Sequence, residues 1–134
     1  MREIPNTMIR ASAGSGKTFQ LTNRFIRLLL NGQAPERIIA LTFTRKAAGE
    51  FFEGILTKLA KAASDPEEAK RLAGDIGQAE GDFGPDDFRS ALRDLVKKMN
   101  RLSLWTIDGF FHRILGIFSL EYGLGQDFEM MSEF

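Results

Sequence analysis

Apolar positions along this chain fall into two patterns, helical stripes and short consecutive runs. From residue 17 to residue 30, Leu21, Phe25, Leu28 and Leu29 recur at helical spacing. Asn31-Gly32 then stops the run, with Pro35 just beyond. Residues 37–43 (Arg-Ile-Ile-Ala-Leu-Thr-Phe) are apolar at consecutive positions, the pattern of a buried parallel strand. A second helix is predicted over 46–63, with Ala48, Phe52, Ile55, Leu59 and Ala62 on one stripe. Asp65-Pro66 opens a short helix and Pro85 another, whose buried side would carry Phe88, Ala91, Leu92, Leu95, Val96 and Met99. Between them lies a loop with glycines at 74, 77, 81 and 84. Residues 102–106 read as a strand, and 109–120 as a last helix carrying Phe111, Ile114, Leu115 and Phe118. A further short strand is predicted at 7–11, running into a glycine-rich turn. Strands alternating with helices indicate an α/β fold with a parallel sheet. Three strands are few for such a sheet, which typically holds about five or six.

With 134 residues the chain is about one domain long, and 43% hydrophobic with 27% charged residues is ordinary for a globular protein. The absence of cysteine excludes disulfides and thiolate metal sites, and a single histidine, His112, excludes a histidine-rich one. No apolar run approaches the ~20 residues needed to span a bilayer, and the first residues lack a signal-peptide apolar region, so the expected location is cytoplasmic. Lys+Arg and Asp+Glu balance at 18 each. Their distribution does not: 19–62 holds seven basic residues against three acidic, while 65–87 holds two against eight. That pattern fits a basic surface interrupted by a solvated acidic excursion, or plain surface charge without a partner.

The strongest chemical signal is Ala11-Ser12-Ala13-Gly14-Ser15-Gly16-Lys17-Thr18, set between a predicted strand and a predicted helix. Gly14 and Gly16 let the backbone curl so that successive N–H groups, with those of Ala13 and Ser15, point inward at phosphate oxygens. The helix start adds partial positive charge beneath them. Lys17 is placed to meet the β- and γ-phosphates of ATP, and the Thr18 hydroxyl to ligate Mg²⁺. Ala11 stands where the general pattern has a glycine, and a small residue still fits. A glycine-rich turn that binds nothing is the alternative.

Two further segments repeat one arrangement. Leu41-Thr42-Phe43-Thr44-Arg45-Lys46-Ala47-Ala48 leaves a strand and enters a helix, offering hydroxyls, two cations, a helix start and one aromatic ring. Ligands of parallel α/β sheets gather at the carboxyl ends of strands, so this turn is expected to share a face with the phosphate loop. Phe43 suits stacking of a nucleic-acid base, or packing in the core at a strand end. Thr106-Ile107-Asp108-Gly109-Phe110-Phe111-His112-Arg113 supplies a hydroxyl, a carboxylate, a glycine and aromatics at the next strand end. Asp108 reads equally as a helix N-cap. Phe110 and Phe111 cannot both face one side, Trp105 is expected in the core, and His112 at the surface or in packing.

Together these segments resemble the UvrD/Rep-type superfamily 1 DNA helicases, in their RecB/AddA branch. Residues 11–19 are similar to motif I, 41–48 to motif Ia, and 106–111 to the next DNA-contacting motif, Ic, in matching order and spacing. The resemblance implies a P-loop NTPase (RecA-like) three-layer parallel sheet, incomplete here, with 1–134 the N-terminal part of the first motor domain and 64–101 a helical insertion. It implies that Lys17 and Thr18 serve ATP and Mg²⁺, while Phe43, Thr44, Arg45, Thr106 and Asp108 line a path for single-stranded DNA. For a whole protein it implies 3′→5′ translocation in repair or recombination, with a C-terminal nuclease and a partner subunit.

A motor ATPase also needs a carboxylate pair at the end of an apolar strand. Glu67-Glu68 and Asp86-Asp87 each follow a proline in a polar helix start and do not qualify. The expectation is therefore a chain that ends inside a larger protein and binds ATP without turning it over. The alternatives are a self-contained small P-loop phosphotransferase, for which no acceptor carboxylate or arginine-rich lid stands out, and a non-catalytic nucleotide- or DNA-binding module.

Overall fold

A computed structural model describes residues 6–10, 16–79, 81–121 and 123 of the chain. Helix α1 (Lys17–Leu30) leads through a 3₁₀ turn, Pro35–Arg37, into strand β1 (Ile39–Thr42). Helices α2 (Arg45–Ser64), α3 (Pro66–Asp75) and α4 (Pro85–Lys97) follow. A second 3₁₀ turn, Met99–Arg101, precedes strand β2 (Ser103–Thr106), which runs directly into α5 (Ile107–Ile117). The fold is mixed α/β, mostly helical, around a two-stranded parallel sheet in the register Ile39↔Ser103 to Thr42↔Thr106.

Local chemistry accounts for the helix starts. The Thr44 hydroxyl accepts the Ala47 N–H at 3.0 Å and caps α2. Asp65 caps α3 by accepting the Glu67 N–H at 2.9 Å, with Pro66 in the first helical position, where its missing N–H costs nothing. Before α4, the Asp87 carboxylate accepts the Gly84 N–H at 2.8 Å. The two strand entries are tied together: Lys98 pairs with Glu36 at 3.1 Å, joining the 3₁₀ turn before β1 to the helix end before β2. The turn's own backbone donor and that cation hold the Glu36 carboxyl below the usual carboxylate range, the backbone bond contributing more.

The core is helical. Ile26 of α1, Ile55 and Leu59 of α2, and Phe88 and Leu95 of α4 are fully buried, each contributing about 1.5–3 kcal/mol by removal from water. Ala40 and Leu104 place one face of the sheet against this cluster. The Arg89 guanidinium reaches from α4 to the Ala63 carbonyl at 2.8 Å, satisfying an acceptor at the end of α2.

Four expectations need correction. Residues 7–10 are exposed and outside any ladder, so the predicted strand at 7–11 is not found among them, and Ala11 lies outside the described residues. β1 begins at Ile39 because Pro35 closes a 3₁₀ turn over residues given to the strand. On α1 the buried face is Thr22, Asn23, Phe25 and Ile26, while Leu21 is half-exposed. The helix turns these residues toward α2, leaving Leu21 and Leu28 along a groove beside β1. Of the side predicted as buried from Pro85 onward, Val96 on α4 and Met99 in the following 3₁₀ turn are exposed, while Phe88 and Leu95 of α4 are fully buried.

The direction of α1 decides where its first turn lies. Phe19 meets Lys58, the backbone of Gly54 approaches Thr22, and Phe25 packs edge-to-face on Phe51 at 5.8 Å. Numbers rise along α1 as they fall along α2, so the helices pass in opposite directions there.

Replacing Thr44 by alanine removes the α2 cap and is expected to lower stability by about 1 kcal/mol. Urea unfolding checks this as a lower midpoint with an unchanged slope, and an unmoved midpoint would refute the cap's contribution.

Candidate nucleotide and nucleic-acid sites

The described part of the phosphate loop begins at Gly16, whose φ of +80° lies in the left-handed region that glycine adopts without steric penalty. Ala13, Gly14 and Ser15 lie outside the described residues. Gly16 opens α1 with no side-chain cap and no acidic residue in the first turn. The helices α2, α3 and α5 start differently, each capped by its own Thr or Asp side chain. An uncapped, acid-free helix start carrying exposed Lys17 and Thr18 has the donor set a phosphate group requires.

The other two candidate turns come together. Because β1 and β2 are parallel and Thr42 pairs with Thr106, the segments after both strands leave the same end of the sheet. Phe43 is 86% exposed, which removes the core reading of that ring. Behind it, the Thr42 hydroxyl donates to the Thr44 carbonyl at 2.9 Å, Thr44 caps α2, and Arg45 and Lys46 are exposed on the first turn. After β2 the pattern recurs: the Thr106 hydroxyl accepts the Gly109 N–H at 3.1 Å and caps α5. The N-cap of α5 is therefore Thr106, and Asp108 is an exposed acid in the first turn, where it complements the helix dipole. An added Cβ on Gly109 would lie 3.1 Å from the Thr106 hydroxyl, so glycine there gives the cap room.

Trp105 is half-buried rather than a core residue. It stacks on Phe110 with centroids 6.0 Å apart, and the Arg113 guanidinium lies 4.7 Å from its ring. Phe110 and Arg113 stand three apart on α5 and reach one ring, which leaves Phe111 55% exposed and His112 on the exposed side. α5 has no buried residue.

Among the described residues, the first turn of α1 does not share a face with the turns after β1 and β2. The first turn of α1 lies beside Lys58, roughly 20 Å along α2 from Arg45 at 1.5 Å per residue. A strand before the loop would pin α1 to the sheet, and residues 7–10 form none. The acidic pairs occupy helix starts as their sequence context predicts, with Glu67 bridging Lys70 at 2.9 Å and Asp86 paired with Arg89. Among the described residues no group of His, Cys, Asp and Glu is arranged to hold a metal, and no helix is long and apolar enough to cross a membrane.

Residue patterning carried little sign of a polar cluster between α1, α2 and α3. Asn23, 3% exposed, accepts a hydrogen bond from the Lys58 ammonium and donates to the Asp75 carbonyl at 3.4 Å. Beside it, the buried Thr22 hydroxyl donates to the Thr18 carbonyl at 2.7 Å. The one available signal was two polar residues on the helix face that Phe25 and Ile26 extend.

Comparison with known proteins bears on these turns together. The chain is 30% identical over 128 residues to the A-type subunit of an ATP-dependent helicase/nuclease from Streptococcus thermophilus, covering 96% of this chain. A protein of the same description from Streptococcus sanguinis is 29% identical over 126 residues, 94% of this chain. The chain spans about 9% of the length of these relatives. No solved structure matches it. The profile of the UvrD/REP helicase N-terminal domain matches residues 4–133, and the chain belongs to that family.

Proposed function

We propose that this chain is the ATP-binding and strand-gripping part of a DNA helicase or translocase. The observation that carries the reading is a helix start at Gly16-Lys17-Thr18 with neither cap nor acid, in a chain whose two strand ends present an exposed aromatic and cations at another surface. The relatives described as ATP-dependent helicase/nuclease subunits support it.

In this reading Gly16, Lys17 and Thr18, with Ala13, Gly14 and Ser15 before them, hold the nucleotide phosphates, and Thr18 supplies a ligand to Mg²⁺. Bound ATP supplies the free energy of hydrolysis to the whole protein. Phe43 stacks on a base, Arg45 meets the backbone phosphates, and the Thr44 and Thr106 backbones are held by their caps along the strand's path. Asp108, an exposed acid in the first turn of α5, lines the same path. The RecA-like sheet is completed by chain outside these residues, and 64–101 is a helical insertion that has joined the core through Phe88 and Leu95. The whole protein moves 3′→5′ along single-stranded DNA with a nuclease and a partner subunit.

Two sites at separate places on α2 make the helix the link between them. A grip that responds to nucleotide must be transmitted along its 20 residues. Binding of a fluorescein-labelled dT20 to the 134-residue chain, followed by anisotropy, tests the reading. Affinity is expected to fall steeply with salt and to change when Mg²⁺-ATP is added, with no release of phosphate. Brisk hydrolysis abolished in Lys17→Ala would contradict the claim that the chain lacks a hydrolytic pair, and salt-insensitive binding would remove the strand path.

A further inference from the structure

Lys58 sits on α2 with its ammonium 3.5 Å from the centroid of the Phe19 ring. It donates to Asn23 Oδ1, and Asn23 passes the connection to the Asp75 carbonyl on α3. Phe19 is the residue after Thr18, and Asn23 stands one helical turn beyond it. Thr22, between them, bonds the Thr18 carbonyl and lies against Gly54, where the hydroxyl is 3.7 Å from the position a Cβ would take. The opening turns of α1 are therefore fastened to α2 at three successive points, and Lys58 makes two of them.

A charged side chain is a poor choice for that task on stability grounds alone. Burial pushes the Lys58 ammonium below the ordinary lysine range, and the Asp75 carboxylate opposes the shift. Lys61 and Arg71 line the same cleft with like charge, and Glu68 lines it with opposite charge. A lysine whose folded pKa is lowered binds its proton less well folded than unfolded, so its charge lowers stability at neutral pH. That deficit shrinks only as pH rises through the lowered value toward 10.5. An apolar side chain of similar length would avoid it. What Lys58 does hold is the geometry of the first turns of α1, through the Phe19 ring and the Asn23 amide.

We propose that Lys58 is a positioning residue for the nucleotide: by clamping Phe19 and Asn23 it sets the angle at which the first turn of α1 presents Lys17 and Thr18 to the phosphates. The proposal rests on the nucleotide reading of that turn and adds a residue of α2 to the site. Lys58 touches no phosphate itself and acts through α1.

The test compares the 134-residue wild type with Lys58→Met and Lys58→Arg in three measurements: titration with a fluorescent Mg²⁺-ATP analogue, thermal unfolding, and dT20 binding. Lys58→Met is expected to bind the analogue about tenfold more weakly while holding dT20 unchanged. Lys58→Arg, which keeps the cation over Phe19, is expected to recover most of the affinity. Unchanged nucleotide affinity in Lys58→Met overturns the proposal. So does a loss accompanied by a lower melting temperature and weaker dT20 binding, since that marks a general structural role. Failure of the wild type itself to bind the analogue strikes the reading of Lys17 and Thr18 and takes this inference with it.

Discussion

Lys17→Ala is expected to weaken binding of Mg²⁺-ATP by about 10- to 150-fold. A hydrogen bond between a charged donor and a charged acceptor is worth about 1.5–3 kcal/mol net, and in the proposed site the lysine would share its charge between two phosphates. The loss should be confined to that site. Lys17 is exposed on the first turn of α1, where substitution alters stability by no more than about 0.5 kcal/mol. The strand path begins roughly 20 Å away along α2, well beyond the ~8 Å screening length at physiological salt, so dT20 affinity should not move. Isothermal titration with Mg²⁺-ATP alongside anisotropy with dT20 separates the two. Equal affinity for ATP in Lys17→Ala would mean that the phosphates do not sit on this helix start.

Phe43→Ala should cost about 1–3 kcal/mol of single-strand affinity, or roughly 5- to 150-fold, if the ring stacks on a base. The side chain is 86% exposed, so its removal leaves no cavity and the melting temperature should hold. The ring is uncharged, and the slope of affinity against salt should stay as in wild type. Arg45→Ala is the complement: affinity falls and the slope drops by about 0.7, the counterion released from one phosphate of a single strand. A Phe43→Ala chain that binds dT20 like wild type would reduce that ring to a bystander on an electrostatic surface.

Much of this was legible in the chain. The apolar runs at 37–43 and 102–106 revealed two strands that feed helices, because parallel strands leave a local signature, whereas the cap weighed at Asp108 lies at Thr106. The α2 stripe was nearly right, with Ile55, Leu59 and Ala62 buried and Phe51 taking the place given to Phe52. What the chain did not reveal was orientation. Periodicity says that a helix has an apolar side, and says nothing of which neighbour that side meets. Leu21 and Leu28 looked like core and line an open groove, while Thr22 and Asn23, which are not on the predicted apolar stripe, lie inside. The three candidate turns have local sequence patterns, yet their placement relative to one another depended on the direction of α1. The Lys58–Asn23–Asp75 cluster joins three helices across gaps that no local window spans.

The pairing of β1 with β2 also has a bearing on how the chain assembles. Ile39 and Ser103 meet across roughly sixty residues of intervening chain, whereas α2, α3 and α4 are neighbours in sequence and pack with short connections. Closing so long a loop is entropically expensive until something has already brought its ends together. The contact of α2 with α4, sealed by Arg89 on the Ala63 carbonyl, returns the chain to the entry of β1, where Lys98 finds Glu36. The helices that look like an insertion between two strands are therefore the scaffold on which those strands meet. On this topology the surface proposed as the grip on DNA is expected to form last, once the helical part has folded.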